Sequence, residues 1–178
     1  MPLSAVLTTD AVYQAFWDDR TVHGFLHSHS YTGNPLACRA ALAVLDTFAA
    51  HDEQGRDVLA RNREAAAHFH ALTEPLRQHP RVKAHRHIGM VWAWDIDVPE
   101  GTPGLGFAQR LHLKALDAGV LLRPIGHTLY VMPPYVLTPD DQRFLAEGML
   151  RVLDAVLAEV DALPRGQGGA PAASNPMA

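Results

Sequence analysis

Residues 119–135 read GVLLRPIGHTLYVMPPY, and the fold turns on how this stretch is read. Two apolar runs, VLLRPI at 120–125 and TLYVM at 128–132, flank Gly126 and His127, so a β-hairpin is predicted with its turn at the glycine. Gly119 is the kind of residue on which a helix ends, and the pattern before it predicts a helix over 107–118. Downstream, Thr138 and Pro139 offer an N-cap followed by proline at the first helical position. They open an amphipathic helix predicted to run to about Leu163. Upstream, VKAHRHIGMVWAWDIDV at 82–98 alternates and is rich in aromatic and β-branched residues, as half-buried antiparallel strands are.

Further out, Asn34 and Pro35 form another N-cap and first-turn pair, and Leu36, Ala40, Ala43, Val44 and Phe48 keep one face of the helix that should follow. A second, more polar helical run is expected over 52–78. At the start, residues 3–8 are apolar and β-branched and predict a strand, with Thr9 and Asp10 capping a helix over 11–18. Residues 164–178 contain too little apolar surface to offset their ordering entropy and are expected to be a disordered tail. The whole reads as α/β.

Composition narrows the function. With 48% hydrophobic and 19% charged residues, the chain should bury a real core. Its net charge of −4 and the lack of any Lys/Arg run argue against a nucleic-acid partner. No apolar stretch approaches the roughly 18 residues a membrane span needs, and the N-terminus lacks the order of a secretory signal. A single cysteine, Cys38, fits a reducing compartment; a cytoplasmic location is expected. Cys38 itself should be a small buried residue without reactivity.

Two segments carry possible chemistry. In FLHSHSYTGNPLAC, residues 25–38, His29, Ser30, Tyr31 and Thr32 present hydroxyls and amides just before a helix N-terminus, where the dipole favours an anion such as a phosphate. The same residues also suit an ordinary capped turn. In residues 119–135, Arg123 carries a permanent charge able to grip a carboxylate with two parallel hydrogen bonds. Its stem would equally suit packing on a sheet with the head in solvent. Tyr130 fits either a ligand pocket or the core.

Both segments, in this order and at this separation, resemble the class III, fold-type I aminotransferases that use pyridoxal 5'-phosphate. The version RPIG…LYVMPPY is similar to the branch acting in biotin biosynthesis, which moves an amino group from S-adenosylmethionine to 8-amino-7-oxononanoate. The resemblance implies that Ser30, with His29 beside it, binds the cofactor phosphate of a neighbouring subunit, so that a homodimer is expected. It implies that Arg123 holds the substrate carboxylate and that Tyr130 lines the substrate pocket. Residues 1–48 would then close the large cofactor-binding domain and residues 49–163 would form the small C-terminal α+β domain. Ser28 departs from the pattern, standing where many members have glycine. An ω-aminotransferase with another amino donor, and a non-catalytic interaction module, remain the alternatives.

Other residues carry weaker signals. His79, His85 and His87 lack Cys or acidic partners at ligand spacing, so no metal site is expected. Trp92 and Trp94 share one strand face and belong in a core or interface. Aminotransferase chemistry needs a lysine to hold the cofactor, yet the only lysines are Lys83 and Lys114, neither followed by a glycine-rich turn. The resemblance puts that lysine upstream of a segment like PLSAVLTT. The chain is therefore expected to be a C-terminal piece, inactive alone, with no catalytic residue of its own.

Overall fold

A computed structural model describes residues 3–27, 29–99 and 106–163. The predicted tail, 164–178, lies outside the described residues. The chain divides into two compact units, Met1–Leu59 and Ala60–Ala178.

The first unit holds α1 (Asp10–Gln14), a 3-10 turn at Thr21–His23, and α2 (Pro35–Ala49). α2 starts as the sequence dictates: the Asn34 side chain accepts the Ala37 amide at 3.0 Å, and Pro35 needs no N–H in the first turn. α1 is shorter than expected, and residues 3–8 form no strand. Leu3, Val6 and Leu7 are exposed there. A strand exists only through a hydrogen-bonded neighbour, and the described residues of this unit include none. Cys38 is also exposed rather than buried, because α2 buries only Ala37.

The second unit is built around a three-stranded antiparallel sheet in the order β1 (Val82–Ile88), β2 (Val91–Ile96), β3 (Thr128–Val131). β1 and β2 turn at Gly89, whose φ of 54° suits glycine, and pair His87 with Trp92 and His85 with Trp94. β3 pairs with β2, placing Leu129 opposite Trp94 and Val131 opposite Trp92. The predicted hairpin of 120–125 with 128–132 is thus replaced. Only an isolated bridge joins Ile125 to Thr128, because Pro124 has no N–H to extend a ladder and β3 finds a full partner in β2.

The expected long helix at 52–78 is two helices, α3 (Val58–Leu72) and α4 (Glu74–Arg77). The break falls at Thr73, two residues before Pro75, which cannot continue the hydrogen-bond ladder. α5 (Phe107–Asp117) ends in a pair of bonds, Gly119 N–H to Leu116 O at 3.0 Å and Val120 N–H to Ala115 O at 2.8 Å. Gly119 supplies the φ of 76° that this reversal needs. α6 (Pro139–Ala162) opens on a reciprocal cap between Thr138 and Asp141. Phe69, Trp92, Trp94, Leu111, Leu122, Leu129, Met149 and Leu153 are fully or nearly fully buried in one core. Gly148 lets α6 close on the chain after α5, since a Cβ there would sit 2.7 Å from Val120.

Candidate active site

The sequence-predicted residues fall into two places, one in each unit. In the first unit, residues 29–34 form a compact exposed turn before α2. The Thr32 amide donates to the His29 carbonyl at 2.9 Å, the Asn34 amide to the Tyr31 carbonyl at 3.1 Å, and the His29 amide to Thr32 Oγ1 at 3.2 Å. The Tyr31 amide donates to His29 Nδ1 at 3.1 Å. An imidazole nitrogen that accepts carries no proton, so in this arrangement the ring proton is on Nε2, which is free to donate. Ser30 is exposed, and neither its hydroxyl nor its amide has a partner among the described residues. Ser28 lies outside the described residues.

In the second unit, Arg123 and Tyr130 line one cavity of about 510 Å³. Strand register explains Tyr130. It pairs with Ala93, on the sheet face opposite the one that carries Trp92, Trp94 and Leu129 into the core. The half-buried ring is therefore not a core aromatic. On the same face, Arg86 donates to Asp95 and Thr128 Oγ1 donates to Asp95 at 2.7 Å, so these hold the Asp95 carboxyl below the usual carboxylate range. Arg123 is exposed and makes no ion pair or hydrogen bond among the described residues. The rest of the wall is mostly apolar, with Met132, Pro133, Leu137 and Phe144, and includes Asp141, whose carboxylate is engaged in the Thr138 cap. A free guanidinium beside a mostly apolar wall suits a carboxylate on an aliphatic chain.

Sequence reasoning missed Leu137, Asp141, Phe144 and Leu145, which come from α6 and its approach. Nothing local marks them, because only tertiary packing brings them to Arg123. Both lysines are engaged at the surface: Lys83 pairs with Asp97 at 2.7 Å and Lys114 with Glu159. Trp92 and Trp94 are core residues as expected, each fully buried. Among the described residues, no helix is long and apolar enough to cross a membrane.

Known proteins are similar to this chain. Residues 1–153 match the family described as aminotransferase class-III. The chain is 36% identical over 163 residues to an adenosylmethionine-8-amino-7-oxononanoate aminotransferase of Helicobacter pylori, an alignment covering 86% of this chain and 35% of that one. The enzyme of the same name in Synechococcus elongatus is 35% identical over 156 residues, covering 88% and 35%. The chain thus spans about a third of the length of the curated relatives it matches. Among solved structures, that enzyme from Methanocaldococcus jannaschii matches with a TM-score of 0.71 and 26% identity, covering 83% of this chain and 34% of that one. A pyridoxamine-phosphate-bound aminotransferase from Vibrio fluvialis matches at 0.63 and 26%, covering 78% and 31%. Matched by its family model through residue 153 and by relatives about a third identical, the chain belongs to the class III aminotransferases, a pyridoxal-phosphate-dependent family of fold type I.

Proposed function

We propose that this chain supplies the substrate-carboxylate pocket and the cofactor-phosphate loop of an aminotransferase that moves the amino group of S-adenosylmethionine to 8-amino-7-oxononanoate. The observation that carries the reading is Arg123, unpaired among the described residues, at a mostly apolar cavity it shares with Tyr130, where the Asp141 carboxylate is taken up by Thr138. A nonanoate chain ends in a carboxylate and is aliphatic between that group and its reacting end, and the cavity offers a guanidinium and an apolar wall in matching order. The names of the relatives from Helicobacter pylori and Synechococcus elongatus support the same substrates.

Bound pyridoxal phosphate supplies the electron sink and carries the amino group between the two substrates. Ser30 donates its free hydroxyl and amide to the cofactor phosphate, with the Nε2 proton of His29 beside it, at the N-terminal end of α2. Arg123 orients the keto acid by its carboxylate, and serves the carboxylate of S-adenosylmethionine in the other half-reaction. Tyr130 flanks the same cavity and offers a hydroxyl to the bound acid. The lysine that holds the cofactor comes from outside these 178 residues, since Lys83 and Lys114 are spent on surface ion pairs. The working unit is a cytoplasmic homodimer in which the Ser30 loop reaches the cofactor of the other subunit.

The test is steady-state kinetics on the intact enzyme that carries this segment. Arg123→Lys keeps the charge but loses the planar fork, so the KM for the keto acid should rise, and Arg123→Ala should raise it further. Unchanged keto-acid kinetics in Arg123→Ala, or a loss of activity that only follows a fall in Tm, would return Arg123 to a structural role.

A further inference from the structure

We propose that His112, on α5, is the positioning residue for Arg123, fixing the peptide plane from which the guanidinium is aimed. The proposal rests on the reading of Arg123 as the carboxylate ligand, and deepens it. Residues 121–124 cross between two anchored ends. Val120 is held by its bond to Ala115 O, and Ile125 exchanges bonds of 3.0 and 2.9 Å with Thr128. Between those ends the backbone makes one hydrogen bond among the described residues: His112 Nδ1–H donates to the Leu122 carbonyl at 2.6 Å. That carbonyl belongs to the peptide group whose nitrogen is Arg123.

Burial of Leu122, 1% exposed, pins its side chain in the core but leaves this peptide plane free to turn. The carbonyl bond removes that freedom. Pro124 restricts Arg123 from the other side, because the residue before a proline is confined to extended backbone. His112 and Arg123 also line one small cavity of about 230 Å³ with Pro124, so the imidazole lies next to the residue it orients. A carbonyl acceptor requires the proton on Nδ1, so the imidazole is the donor in this bond.

The test compares His112→Leu, which keeps much of the bulk but loses the donor, with His112→Asn, whose side-chain amide stands close to where Nδ1 stood. Calorimetry on the intact holoenzyme carrying this segment uses two probes of equal length, nonanoate and nonanamide. His112→Leu should weaken nonanoate on the order of 10-fold, as misplacement of an orienting group does, and leave nonanamide unchanged. His112→Asn should restore nonanoate binding. The KM for the keto acid should follow nonanoate, while kcat at saturation stays near its parent value. Equal weakening of both probes would mean that His112 only packs the structure, and no weakening would mean that it does nothing for Arg123; either overturns the proposal. Arg123→Ala separates the two levels. If it abolishes the preference for carboxylate while His112→Leu does not, only the positioning role falls. If it leaves the preference intact, the carboxylate reading of Arg123 falls, and the role of His112 with it.

Discussion

α2 and α6 begin alike and end up doing different work. Each opens on a side-chain cap followed by proline at the first helical position, Asn34-Pro35 and Thr138-Pro139. α6 then buries nine residues, Met149, Leu153 and Val156 completely, whereas α2 buries Ala37 alone and leaves Leu36, Leu42, Leu45 and Phe48 exposed. The lesson is that a cap states where a helix starts, and tertiary burial decides whether the helix carries stability. Stability should therefore reside in the unit from Ala60 onward.

The largest expected effect tests that division directly. Leu129, fully buried between β2 and the core, should cost about 2–5 kcal/mol when replaced by alanine, through lost burial and the cavity left behind. Leu45→Ala on α2 should stay within about 0.5 kcal/mol, as exposed positions do. Urea unfolding of the 178-residue chain compares the two, and equal losses would mean that α2 belongs to the same cooperative core.

A second contrast concerns binding rather than folding. Ser30→Ala should weaken retention of pyridoxal phosphate in the intact enzyme by roughly 1.5–3 kcal/mol, the worth of a hydrogen bond to a charged group. Its Tm without cofactor should not move, because Ser30 has no partner among the described residues to lose. Unchanged cofactor affinity would reduce the loop to a helix cap.

The contrast between local and tertiary signals also explains what the sequence could reveal. Both proline-marked caps, the alternation that becomes β1 and β2, and the glycine that ends α5 are local chemistry, and all stand where residue types put them. Residues 3–8 and 120–125 have strand-like composition too, but strands are made by partners. The first run has none among the described residues of its unit, and the second loses β3 to β2. Arg123 and Tyr130 were legible because they sit in one short motif, and they do meet at one cavity. Phe144 and Asp141, on α6, were not, nor was His112, a lone histidine whose role depends on a carbonyl ten residues away.

The caps can sharpen the opening comparison at smaller scale. Thr138→Ala removes the acceptor of the Asp141 amide and should lower stability by about 1 kcal/mol, seen as a lower thermal midpoint. Asn34→Ala removes an equivalent bond to Ala37, yet the midpoint should hold, because α2 contributes little to cooperative unfolding. A matching fall in both variants would place α2 within the core transition.

The smallest expected effect is a pH dependence confined to the second unit. His70 on α3 stacks on His87 at 5.3 Å between centroids and lies 5.5 Å from His85, and His87 stacks on Trp92 at 4.7 Å. Arg77 on α4 faces the same group, donating to the His70 carbonyl at 3.2 Å and paired with Glu74. Burial pushes the His70 and His85 imidazoles below their ordinary value near 6.5, and the Arg77 charge pushes them the same way. A histidine whose folded value is lowered takes up its proton more readily when unfolded. Stability is then fully present above the ordinary value and falls as pH drops through it. The carboxylates act elsewhere: Asp95 and Asp97 are held below 3.8 by Arg86 and Lys83, so their stabilisation is lost only in stronger acid. The thermal midpoint of the 178-residue chain should therefore fall between about pH 7.5 and about pH 5.5, before any carboxylate step. Replacing both His70 and His85 by phenylalanine should flatten the profile in that window while preserving ring contacts with His87. A parent midpoint that stays level, or a double variant with the parent's slope, would show that the stacked histidines keep enough water to charge freely.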